Sequence, residues 1–171
     1  MVGSYQYVRA HRGEMDKAVG VVVFDDGIGQ LTGLSLGGRK DLIPAATSLL
    51  SGLKPLAGTG FTTDASADTD NFDFMLEGVP TLVANEAEAN YLINYHASSD
   101  TFDKVDFALL KKHVAEAAGV TFALANAPNR LGPRLNRAQI EQNMRETHLD
   151  QDLKTSSLWK EWESGERGRE K

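Results

Sequence analysis

With 171 residues, 41% of them apolar, the chain has the size of one ordinary domain able to bury a core. Its formal charge of −6 excludes a surface that tracks phosphates, because such surfaces rely on clustered Lys and Arg. No apolar run approaches the roughly 20 residues needed to cross a bilayer, and the N-terminus lacks the basic-then-apolar profile of a signal peptide. No nucleic-acid partner and no membrane span are therefore expected. Cysteine is absent, so any metal would be held by His, Asp and Glu. Residues 129–171 carry nine basic and eight acidic residues, which leaves the negative charge in residues 1–128.

In chain order, Ser4 to Lys17 reads as a helix with Ser4 as N-cap and Tyr5, Val8 and Met15 on its apolar side. Ala18 to Phe24 is a short apolar, β-branched run, the pattern of a strand covered on both faces. Leu31 to Leu36 alternates weakly and ends at Gly37 and Gly38, which predicts a second strand. Asp41 to Leu53 reads as a helix, with Pro44 tolerable in its first turn. Gly58 to Thr69, rich in Gly, Thr, Ser, Ala and Asp, reads as irregular. A short helix from Asn71 to Glu77 capped by Asp70 follows, and then a strand from Val79 to Ala84 with Pro80 near its start. Phe107, Leu110, Val114, Ala117 and Thr121 fall at helical spacing and predict a long amphipathic helix to Asn126. Beyond Pro128 the charged tail carries two predicted helices, Arg137 to Thr147 and Leu153 to Glu163, with Trp159 and Trp162 on one face suited to docking on the main body. The alternation makes the class α/β, a mixed sheet flanked by helices. The units are residues 1–127 and a charged helical extension over 128–171.

Of the four histidines, His11, His113 and His148 stand among charged neighbours and read as surface residues. His96 differs: it follows a turn-rich stretch, with Tyr95 before it and Ser98, Ser99 and Asp100 after it. Such a loop can aim an imidazole nitrogen outward while neighbours fix the ring. Asp25 and Asp26 close the first apolar strand, where the loops of α/β sheets form a crevice, so a carboxylate there can hold a cation. Side chains alternate along a strand, so one of the pair should point inward. The same Asp26-Gly27 pair is also an ordinary turn signal.

Taken in order, four motifs resemble the two-zinc exopeptidases of peptidase family M twenty-eight, which includes bacterial aminopeptidases and plasma glutamate carboxypeptidase. They are Gly3-Ser4-Tyr5-Gln6-Tyr7; the strand ending in Asp25; Thr69-Asp70-Asn71 before Gly78-Val79-Pro80; and Tyr95-His96 with Asp100-Thr101. Arg130-Leu131-Gly132-Pro133 and Trp162-Glu163-Ser164-Gly165 also look like the tail of carboxypeptidase-like members. The resemblance implies that Asp25 ligates one zinc and His96 the other, and that Tyr95 donates to the oxyanion of a tetrahedral intermediate. Asp70 and Asp100 would orient those groups or fix their loops. Asn71 stands where the family more often has His.

The family's upstream His, bridging Asp, metal-binding Glu and general-base Glu have no counterpart in this sequence, whose first residues match the helix that follows the Glu-Glu pair. The expectation is a partial zinc-exopeptidase fold lacking its N-terminal strands, inactive alone, with zinc binding weak or absent. A structural site uses three or four protein ligands, and metal-assisted hydrolysis also needs a base. The partners implied are a small peptide, once the site is completed, and either a complementing N-terminal half or a second copy. The alternative is a non-catalytic interaction module that keeps the peptidase scaffold and binds through an uncovered sheet edge. Family members are often secreted or periplasmic.

Overall fold

A computed structural model describes residues 2–53 and 60–170. Four strands, β1 (Val21–Val23), β2 (Leu31–Ser35), β3 (Gly60–Thr62) and β4 (Thr81–Glu86), form one mixed sheet in the order β1-β4-β2-β3. β1 runs parallel to β4 and β3 parallel to β2, while β2 and β4 are antiparallel, with an irregularity between Leu31 and Gly33. The helices are α1 (Val2–Ala10), α2 (Ile43–Leu49), α3 (Asn71–Leu76), α4 (Phe107–Asn126), α5 (Arg137–Glu146), α6 (Leu149–Lys154) and α7 (Leu158–Ser164). The α/β class and the mixed sheet flanked by helices are as expected.

Two apolar clusters hold these elements. Leu31, Leu34, Leu82 and Ala84 of the sheet bury in one cluster with Leu42 and Ala46 and with Val120 and Leu124 of α4. The second cluster joins Phe72, Met75 and Leu76 of α3 to Ile140, Met144, Leu149, Leu153 and Trp162. The tail helices thus cover α3 with their apolar side, and Trp162 is 1% exposed.

Several boundaries differ from the sequence reading. The first helix ends at Ala10 and a 3-10 turn spans Arg12–Lys17, with Met15 buried; Ser4 lies inside α1 instead of capping it. Asp41 to Leu53 is α2 flanked by 3-10 turns at Lys40–Leu42 and Ser51–Leu53. The segment read as irregular contains β3, although its first residues, Gly58 and Thr59, lie outside the described residues. β3 depends on close backbone pairing: a Cβ on Gly33 would stand 2.3 Å from the Gly60 oxygen, so glycine there admits the neighbouring strand. The helix read from Leu153 to Glu163 is broken between α6 and α7.

The largest correction concerns α4. Its buried residues are His113, Glu116, Val120 and Leu124, whereas Phe107 and Val114 of the predicted face are 52% and 63% exposed. Alanines on most sides make the helix apolar all round, so periodicity alone did not fix which stripe faces the sheet. His113, read as a surface residue, is 6% exposed.

Candidate functional site

Because β1 and β4 are parallel, their carboxyl ends open on the same side of the sheet, where α/β folds keep their crevice. A cleft of about 830 Å³ lies there. Its walls come from the residues after β1, from the segment Asp64–Asn71 leading into α3, and from the long loop between β4 and α4. Asp25, Asp70, Tyr95, His96 and Asp100, the five residues singled out in the sequence, all line it. Asp26 lines it as well: β1 ends at Val23, so the pair lies past the strand and side-chain alternation no longer separates them.

Asp25 is held in place. Its Oδ2 accepts a hydrogen bond from Thr69 Oγ1 at 2.7 Å, and the Tyr91 hydroxyl donates to its backbone oxygen at 3.3 Å. Gly27 next to it has φ +96, and a Cβ there would lie 3.0 Å from the Tyr91 ring, so glycine is required both for the turn and for that contact. Burial pushes the Asp26 carboxyl upward, helped by the negative charges of Asp25 and Asp68. Asp70 starts α3, but its side chain does not bond the helix's own N–H groups. The Ser4 hydroxyl hydrogen-bonds it instead and lowers its pKa, and Ser4 Oγ also reaches Asp73 Oδ2 at 3.3 Å.

The loop from Asn90 to Asp100 is a series of tight turns. Asn94, 7% exposed, anchors it through Nδ2 to the Asn90 oxygen at 2.7 Å, and Asp100 N bonds the Ala97 oxygen at 3.1 Å. His96 adopts φ 54, a left-handed conformation uncommon outside glycine, and its ring stacks on Tyr95 at 3.9 Å. Tyr95 is in turn 5.2 Å from Tyr91, which links both sides of the cleft mouth. Farther along the loop, Lys104 and then Thr101 bond Asp103 and hold its carboxyl down at about 2. Asp100 lines both the main cleft and a smaller one of about 260 Å³.

Six aspartates line the main cleft, at positions 25, 26, 64, 68, 70 and 100. Among the described lining residues there is no Lys or Arg, so the cleft favours positive charge. The donor types of Asp25 and His96 suit zinc. The number does not: among the described residues no three His, Asp or Glu gather closely enough to hold one ion. Sequence reasoning missed Asp68 and Tyr91, whose local patterns are those of loops, while Asp26 and Asn71 were noted but not placed in the site. It also missed a polar cluster beneath the cleft. His113 Nε2 meets the Gly29 oxygen and its Nδ1 lies 3.5 Å from Glu86 Oε1, with the buried Glu116 close by. No family model, no characterised protein and no solved structure matches the chain.

Proposed function

We propose that this cleft is one half of a peptide-hydrolysing site of the two-zinc exopeptidase kind, inactive until further ligands and a base are supplied. The observation that carries the reading is the meeting of Asp25 with Tyr95 and His96, distant from it in sequence, on one acidic cleft at the carboxyl ends of β1 and β4. Zinc bound there would polarise a carbonyl and acidify water. The chain's own contribution is orientation. Thr69 and Tyr91 hold Asp25, the turns of the loop present His96, and the Tyr95 hydroxyl supplies a hydrogen-bond donor at the mouth. No glutamate lines the cleft among the described residues, so a base must come from elsewhere.

Zinc titration of the purified chain tests this. Weak binding is expected, lost in Asp25→Asn and in His96→Ala, with no release of amino acids from dipeptides. Zinc binding indifferent to both substitutions would overturn the half-site, and dipeptide turnover by the chain alone would overturn its inactivity.

A second reading, an interaction module, is favoured by one specific feature. Among the described residues strand β1 pairs only with β4 and stands at an edge of the sheet, and α4 beside it exposes Phe107, Val114 and Phe122. This reading expects self-association in light scattering, and a monomer at high concentration would remove its basis.

A further inference from the structure

Asn71 begins α3 at the wall of the cleft, is 2% exposed, and its Oδ1 has no hydrogen-bond partner among the described residues. A buried carbonyl oxygen left without a donor is costly, so a ligand bringing N–H groups would relieve it. The surroundings restrict that ligand further. Asp25 already accepts from Thr69, and Asp70 from Ser4. Among the described residues, Asp26, Asp64, Asp68 and Asp100 make no side-chain hydrogen bond or salt bridge, and ionised carboxylates can only accept. These groups are spread along the cleft, since among the described residues no three acidic or histidine side chains come together closely enough to hold one ion. A point cation cannot satisfy them together. A flexible chain with positive charges at intervals can, and each of its ammonium groups also brings three N–H donors.

We propose that the cleft binds a chain bearing two or more primary ammonium groups, as in a lysine-rich peptide, across Asp26, Asp64, Asp68 and Asp100, with the Asn71 carbonyl oxygen as a further acceptor. This names a ligand class for the peptide site proposed above and rests on that reading, yet it uses neither Asp25 nor His96. A free polyamine offers the same chemistry.

Calorimetric titration of the full chain with trilysine, spermidine and trialanine provides the test. Trilysine binds and trialanine does not; trilysine binding more tightly than spermidine identifies a peptide, and the reverse order identifies a polyamine. Asp64→Asn with Asp68→Asn weakens binding roughly tenfold, the sum of two exposed ion pairs. Asp152→Asn with Glu163→Gln removes the same charge away from the cleft and changes binding less than about twofold. Trilysine trimethylated at each Nζ keeps its charge without side-chain N–H donors and binds roughly fivefold more weakly. Equal losses in the two double variants, or trilysine binding no better than trialanine, would overturn the proposal. Trilysine binding intact beside a zinc titration indifferent to Asp25→Asn and His96→Ala would overturn the zinc half-site alone.

Discussion

Glu86 closes β4 with both carboxylate oxygens buried and His113 Nδ1 3.5 Å from Oε1, and the buried Glu116 on α4 faces Lys112 Nζ at 3.7 Å. Burial first, then the charges of Asp26 and Glu116, push Glu86 from the ordinary 4.5 up to about 7. The folded chain therefore keeps a proton that the unfolded chain gives up near 4.5, so this contribution to stability is complete at low pH and is lost as pH rises towards 7. The unfolding free energy from urea titration should fall between pH 5 and pH 8, by about 1 kcal/mol after allowance for solvent screening, and Glu86→Gln should flatten that fall. An unchanged slope in the variant would show that other groups carry the dependence. None of this was legible locally. Glu86 follows an apolar run, and His113 and Glu116 stand beside Lys111 and Lys112, settings that carry no local mark of burial, and His113 read as a surface residue. The candidate residues Asp25, Tyr95 and His96 were legible because their turn-rich settings and order carried a pattern.

At the scale of elements, α4 shows what local signals can and cannot fix. Its start is set by Asp106, whose Oδ1 accepts from Ala108 N at 2.8 Å and Leu109 N at 3.1 Å. Asp106→Ala should cost about 1 kcal/mol, measured as a lowered thermal midpoint, and an unchanged midpoint would mean that packing alone sets the helix end. The start and length of the helix followed from the spacing, but its buried stripe did not. β3 shows the converse: three residues in a loop-like composition become a strand because β2 offers an open edge beside Gly33. The tail helix α5 was readable from its own ends, where Asn136 and Gln139 form a reciprocal cap.

Across the whole molecule, one buried carboxylate ties the beginning of the chain to its tail. Glu77, with no exposed side-chain surface, receives Arg12 Nε at 2.9 Å and Arg134 Nη2 at 2.7 Å, and Arg134 also reaches Asp16. Burial raises the Glu77 carboxyl while both guanidinium groups pull it back down. Glu77→Ala leaves two partly buried cations facing each other and should cost about 3–5 kcal/mol in urea unfolding. Trp162→Ala, in the second cluster, should cost a similar 3–5 kcal/mol or so by opening a cavity against α3. Ending the chain at Pro128 would uncover Phe72, Met75 and Leu76, and should yield a form that binds a hydrophobic dye and aggregates. A dye-silent, monomeric product would show that residues 1–127 bury α3 without the tail.

By itself the sequence determined the α/β class, the main strands and helices, the extent of α4 and the residues worth watching in the loops. Each of these depends on neighbours within a few positions: apolar period, turn chemistry and caps. Only the tertiary structure decided which stripe of α4 is buried, that β3 exists, that Asp26 joins Asp25, and that six aspartates share one cleft. Those outcomes come from strand order and from backbone approaching backbone. Segments distant in the chain are brought together there, and no local pattern encodes which of them will meet.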